Sequence, residues 1–175
     1  PDDLAAQVIA AALAKVPALD PRDIEDLMVG CGLPGGEQGY NLARVVAVLL
    51  GYDFLPGATV TRYCSSSLRT TRMAWHAIKA GEGDVFISAG VEMVSRFGRG
   101  SADGPPGTTN PLFESAAQRT ATAAADGARP WVNPRAYGQL PDAYIAIGQT
   151  AENVALLESV SRREMDEFAV RSQNL

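Results

Sequence analysis

Apolar residues crowd positions 4–16 at helical spacing, with Pro1, Asp2 and Asp3 ahead of them and Pro17 behind, so this stretch reads as an Ala-rich helix. A short apolar run over 26–31 reads as a strand, 32–39 as a Gly/Pro loop, and 41–50 as a second helix ending at Gly51. Residues 58–63 read as a strand, because Thr59, Val60 and Thr61 are β-branched and Tyr63 is aromatic. Residues 65–80 contain no Gly or Pro and carry apolar residues at helical spacing, which predicts a long helix. The continuous apolar run of 84–90, bounded by glycines, suits a strand buried on both faces. Alternating helices and strands of this kind predict a layered α/β fold with a parallel sheet.

Beyond residue 92 the character changes. From 96 to 135 the chain is rich in Gly, Pro, Ser, Thr and Ala, with isolated Phe113 and Trp131 and no sustained period. It reads as a loop-rich excursion packed over the active site. Two amphipathic segments follow, 143–157 and 161–172, the second opened by Ser161 with Glu164 three residues on, a capping box.

Composition narrows the function classes. The 175 residues are 46% hydrophobic, enough for one globular domain or one domain plus an excursion. A net charge of −5 argues against nucleic acid or an anionic membrane as the main partner, since both require a basic face. No window approaches the roughly 20 apolar residues of a membrane span, and the start lacks the basic flank of a signal peptide. Two cysteines, Cys31 and Cys64, are too few for a disulfide framework and read as free thiols in a reducing compartment, so the expected location is cytoplasmic.

The leading candidate for chemistry is Cys64, at the junction between the 58–63 strand and the 65–80 helix. Free amide N–H groups and the positive end of the helix dipole stabilise thiolate over thiol there, which makes the sulfur a usable nucleophile. Small Ser65, Ser66 and Ser67 leave room for a thioester, and their N–H groups could help bind an oxyanion. The single histidine, His76, fails as the base. Twelve residues along the same helix put it ~18 Å away along the axis and ~120° around it, on a polar stripe with Arg72 and Lys79. Leu68, Thr71, Trp75 and Ile78 share the Cys64 side instead.

Other features have plainer readings. The glycines of 35–39 lack the lysine and Ser/Thr of a phosphate loop and read as a structural turn, with Asn41 and Arg44 bracing the layers. Glu92 reads as scaffolding that accepts backbone N–H bonds. Arg96, Arg99, Arg119 and Arg135 are candidates for coenzyme A phosphates, although exposed loop arginines are usually just solvated.

Four motifs in order, Gly35-Gly36-Glu37-Gln38-Gly39-Tyr40-Asn41-Leu42-Ala43-Arg44, Cys64-Ser65-Ser66-Ser67-Leu68, Asp84 to Glu92 and Gly148-Gln149-Thr150-Ala151-Glu152-Asn153, resemble the first half of the thiolase family. The resemblance implies an α/β fold: a layered α-β-α thiolase-like N-terminal domain with a loop-rich excursion, incomplete at both ends. It places a core at 1–92 and part of a loop domain at 93–175. It implies thiolytic cleavage of a 3-ketoacyl-CoA, or the reverse Claisen condensation, through an acyl-thioester on Cys64. Ile147 matches a position lining the pantetheine and acyl channel. Coenzyme A and acyl-CoA are then substrates, with no tightly bound cofactor and no metal, and the assembly is a homo-oligomer, dimer or tetramer.

In the family a histidine, a second cysteine and an asparagine of the C-terminal half complete the site. Cys31-Gly32-Leu33 lacks the pattern of that second cysteine. Family members also open with a central strand ahead of the first helix, and its loss would leave neighbouring strands without backbone partners. Ser67 and Arg69 depart from common thiolase residues, and Ser65-Ser66-Ser67-Leu68 followed by Thr70-Thr71-Arg72-Met73 looks like actinobacterial degradative thiolases that shorten steroid side chains, while Ala146-Ile147 in place of a His-Met pair implies room for a bulkier acyl group. A ketoacyl-synthase-like condensing enzyme and a non-catalytic assembly module remain the alternatives.

Overall fold

A computed structural model describes residues 1–96, 107–126 and 131–175. The chain divides into two units, Pro1–Pro106 and Gly107–Leu175, each taken by itself below.

The first unit is built on three parallel strands, β1 (Asp26–Gly30), β2 (Gly57–Val60) and β3 (Phe86–Gly90), in the order β2-β1-β3. Three helices serve them: α1 (Asp2–Leu13), α2 (Leu42–Leu49) and α3 (Ser66–Ala80). Side chains alternate along β1, and the alternation explains the layers. Leu27, Val29 and then Cys31 point into a buried core with Ile9, Leu42, Val46 and Leu55, which is where α1 and α2 pack. Gly30 points to the other face, toward α3. Register aligns Met28 with Ser88, and the Ser88 hydroxyl bonds Thr70 and Thr71 of α3 at 2.8 and 3.0 Å. The result is α1 and α2, then the sheet, then α3, an α-β-α sandwich.

Several sequence expectations need correction. Residues 84–90 are not buried on both faces: β3 is an edge strand, and each of its residues is half-buried or exposed. Among the described residues β1 pairs directly with both β2 and β3. The strand of 58–63 stops at Val60, since Tyr63 turns to φ +46° and starts a 3₁₀ turn over Tyr63–Ser65. On α3 the sheet-facing residues are Ser66, Thr70 and Ala77, whereas Leu68 is 73% and Trp75 55% exposed. Small and hydroxylated residues let the helix lie close to the sheet, so its bulky apolar positions fall on the outer side.

Asn41 and Arg44 brace the first unit, each in its own place. Asn41, with φ +54°, donates to the Gly57 carbonyl and accepts from the Thr59 N–H, joining the start of α2 to β2. Arg44 donates to the carbonyls of Tyr52, Asp53 and Leu55 and closes the loop after α2.

The second unit contains α4 (Glu114–Asp126), α5 (Ile147–Leu157) and α6 (Arg162–Gln173). The aperiodic reading of 96–135 therefore missed a helix. Its Ala-rich sequence has high helix propensity but carries no large apolar side chain, so its period is drawn by alanines alone and is hard to see. The rest of that excursion, 97–106 and 127–130, lies outside the described residues. The Ser161–Glu164 capping box forms as expected, and the Ser161 N–H and hydroxyl hold the Glu164 carboxyl below its ordinary range. Among the described residues no helix is long and apolar enough to cross a membrane.

Two stability tests follow from this packing. A Cβ at Gly57 would lie 2.9 Å from the Ala43 and Arg44 backbone, so Gly57→Ala should cost about 1–3 kcal/mol in urea unfolding. One oxygen of Asp26 is buried with no partner, and burial raises that carboxyl above its ordinary value. A raised carboxyl favours the folded state when protonated, and that advantage is lost as pH rises through the folded pKa. Asp26→Asn should therefore raise the unfolding midpoint at pH 7 and leave it little changed at acid pH.

Candidate active site

The ends of all three strands converge on one cleft. Thr61 to Ser65 carry the chain from β2 into α3, and hydrogen bonds fix the turn closely. Buried Ser66 accepts the Arg62 N–H at 2.8 Å and donates to the Tyr63 carbonyl at 2.6 Å. Ser65 donates to the Arg62 carbonyl at 2.9 Å. A left-handed backbone at a bulky residue such as Tyr63 costs on the order of 1–3 kcal/mol, and surrounding bonds must hold it. The next residue is Cys64, whose side chain is exposed. Two of the three serines thus fasten the turn.

The N-terminus of α3 sits directly on the strand ends. A Cβ at Gly30 would lie 2.6 Å from the Ser67 nitrogen, and one at Gly90 would collide with the Ser67 side chain. Only glycine at position 30 allows this backbone approach, and at position 90 any Cβ would have to displace the Ser67 hydroxyl. The cleft beside Cys64 measures about 470 Å³, with Leu33, Tyr63, Val91 and Val94 as its apolar walls and Glu92 as a charged lining residue.

Glu92 is scaffolding, as its position suggested, but it also reaches the cleft. Its carboxylate accepts the Gly32 N–H at 2.5 Å and the Gln38 side-chain amide at 2.8 Å. Gln38, fully buried, also donates to the Leu33 carbonyl at 2.9 Å and accepts the Met93 N–H at 2.7 Å. The Cys31 thiol, 1% exposed, lies 3.8 Å from Glu92. Burial first, and the Glu92 charge second, push that thiol from an ordinary 9.0 up to about 11.

His76 is exposed, takes a hydrogen bond from Arg72 at 3.2 Å, and does not line the cleft. Ile147 opens α5 in the second unit and is 81% exposed. Arg119 is committed to structure, pairing with Asp142 at 2.6 Å and donating to Gln139 and the Leu140 carbonyl. Arg96 pairs with Glu37 at the surface, Arg135 is exposed, and Arg99 lies outside the described residues. Among the described residues no group of three or more His, Cys, Asp or Glu side chains could hold a metal.

The sequence pattern described as "Thiolase, N-terminal domain" matches residues 1–175. The chain belongs to the thiolase family. It is 38% identical over 173 residues to a beta-ketoadipyl-CoA thiolase of Escherichia coli, covering 98% of this chain and 41% of that protein. It is 33% identical over 172 residues to a 3-ketoacyl-CoA thiolase of Saccharophagus degradans, covering 98% and 37%. The chain thus spans about two fifths of the length of the curated relatives it matches. A solved acetyl-CoA acetyltransferase of Bacillus anthracis overlaps 44% of this chain and 20% of that one at 28% identity, with a TM-score of 0.41. That overlap is partial, and membership rests on the sequence match.

Reading the sequence of this thiolase domain singled out Cys64 and Glu92 but missed Gln38, Gly30 and Gly90. A lone amide inside a Gly-rich loop, and a glycine closing each of two strands, were the available signals.

The two thiols should behave oppositely. Brief iodoacetamide treatment at neutral pH should label Cys64 and leave Cys31 intact in peptide maps. Because the folded Cys31 thiol titrates above the unfolded one, its stabilisation is complete below about pH 9 and lost as pH rises toward 11. Chemical denaturation should show a loss on the order of 2 kcal/mol across that window, and Cys31→Ala should flatten it.

Proposed function

We propose that this domain carries the nucleophile of an acyltransferase that cleaves 3-ketoacyl-CoA thiolytically, or runs the reverse Claisen condensation, through an acyl-thioester on Cys64. The observation that carries this reading is an exposed thiol on a strained strand-to-helix turn, facing an apolar-walled cleft. The Cys64 thiolate attacks the 3-keto carbon, and the bond between the α and β carbons breaks. The acyl group stays on sulfur, while the electron pair leaves on acetyl-CoA, whose α carbon takes up a proton. The thiol of a second coenzyme A, giving its proton to a base, then displaces Cys64 and carries the shortened acyl chain away. Likeness to the family assigns that acid and base to a cysteine and a histidine of the C-terminal half. By itself the 175-residue chain is then expected to accept an acyl group without turning over.

Finer points extend the same proposal. The walls of Leu33, Tyr63, Val91 and Val94 favour a non-polar acyl chain, which supports a degradative enzyme of the β-oxidation or steroid side-chain type. Coenzyme A and acyl-CoA act as substrates, not as resident cofactors, and Ile147 lines the pantetheine channel. Residues 1–92 form the core that carries Cys64, and 93–175 the loop domain. A cytoplasmic homo-oligomer, dimer or tetramer, fits an acidic chain whose β2 edge is free on one side.

Incubation with acetyl-CoA followed by intact-mass measurement should show one acetyl increment, mapped to Cys64 and absent in Cys64→Ala. Acyl labelling that survives in Cys64→Ala sinks the assignment.

A further inference from the structure

We infer that Gln38 and Glu92 form a positioning clamp for the Cys64 turn, transmitted through the peptide of Gly32 to Thr61. The inference rests on Cys64 being the nucleophile but adds a role that neither motif nor exposure assigns.

The path is continuous in hydrogen bonds. Gln38 holds the Met93 N–H and the Leu33 carbonyl with its two ends and shares its amide with Glu92. The second oxygen of Glu92 takes the Gly32 N–H. On the other side of the same residue, the Gly32 carbonyl accepts the Thr61 hydroxyl at 2.8 Å. Thr61 lies three residues before Cys64, and the space over Gly32 is closed by the Tyr63 backbone, 3.5 Å from where a Cβ would stand. Three of these groups, Gly32, Leu33 and Glu92, also line the cleft.

Burial stiffens the Gln38 end of the clamp, while the bonds at Gly32 and Thr61 lie at the surface. Gln38 has no access to solvent, so each of its polar atoms must be satisfied inside the protein, and all are. A carboxylate at 92 only accepts, which matches the donors aimed at it from Gly32, Gln38 and Cys31. Left-handed Tyr63 needs such outside support, since its own conformation is unfavourable. Loosening Gly32 releases the bond at Thr61 and lets the turn relax, which swings Cys64 off the N-terminus of α3.

The test is the alkylation rate of Cys64 by iodoacetamide in the 175-residue chain, resolved from Cys31 by peptide mapping, with the unfolding midpoint measured beside it. Glu92→Gln keeps the volume but sets an N–H against the Gly32 or Gln38 donor. Thr61→Val removes only the hydroxyl link. Both should slow alkylation by about threefold or more, while Thr61→Ser stays within about twofold of the parent. An unchanged or faster rate in Glu92→Gln and Thr61→Val, whatever the midpoint does, overturns the clamp. If Glu92→Gln fails to fold, the Thr61→Val and Thr61→Ser pair decides. Alkylation needs no acyl donor, so this outcome is independent of whether Cys64 accepts an acetyl group.

Discussion

The close approach of α3 to the ends of β1 and β3 is the constraint on which the rest depends. Gly30 and Gly90 leave no side chain between the strand ends and the first turn of the helix; the Ser66–Ser67 backbone fills the space at Gly30 and the Ser67 side chain that at Gly90. A helix lowered this far brings its N-terminus to the level where the strands stop. The chain leaving β2 must then climb into α3 within a few residues, and the left-handed step at Tyr63 is how it does so. Strain at Tyr63 and the missing side chains at Gly30 and Gly90 are two aspects of one fit. Each would lack purpose without the other.

That fit also accounts for the unusual distribution of polarity on α3. A helix against a sheet ordinarily buries its largest apolar side chains, which hold the two layers apart. Here the buried face is Ser66, Thr70 and Ala77, and hydroxyls of Thr70 and Thr71 meet Ser88 directly. The polar atoms are satisfied across the interface, so closeness carries no cost in unpaired groups. Leu68, Trp75 and Ile78 are displaced to the outer face, where they form an apolar stripe on the helix that follows the Cys64 turn.

Much of this was legible in the chain, and what was not has identifiable causes. Helices and strands that bury residues at their own period, such as α2 with Leu42, Ala43, Val46 and Ala47, declared themselves in the pattern. The capping box at Ser161 was readable because both of its bonds are local. By contrast α4 was hidden by an Ala-rich composition with no large apolar side chain to mark its buried side. The edge position of β3 was hidden because an apolar run states that a strand wants cover, not how much it receives. The exposed place of Cys64 beside the cleft could be anticipated from its junction, since a strand-to-helix turn is set by nearby residues. Gln38 could not, because its partners, Leu33, Glu92 and Met93, are brought together only by the parallel pairing of β1 with β3.

The pair of thiols shows how strongly fold, not residue type, decides chemistry here. Cys31 continues the inward alternation of β1 from Leu27 and Val29, so it inherits the core and gains the Glu92 carboxylate as neighbour. Both influences oppose its ionisation. Cys64 follows β2 on a turn that lifts the chain out of the sheet, and it emerges in the cleft that the three strand ends share. Parallel strands present all their carboxyl ends on one side, where loops can converge on a ligand without disturbing the ladder. Since β1, β2 and β3 are parallel, the loops after Gly30, Val60 and Gly90 meet there by necessity. A side chain on a loop at the amino ends of these strands would face away from that cleft.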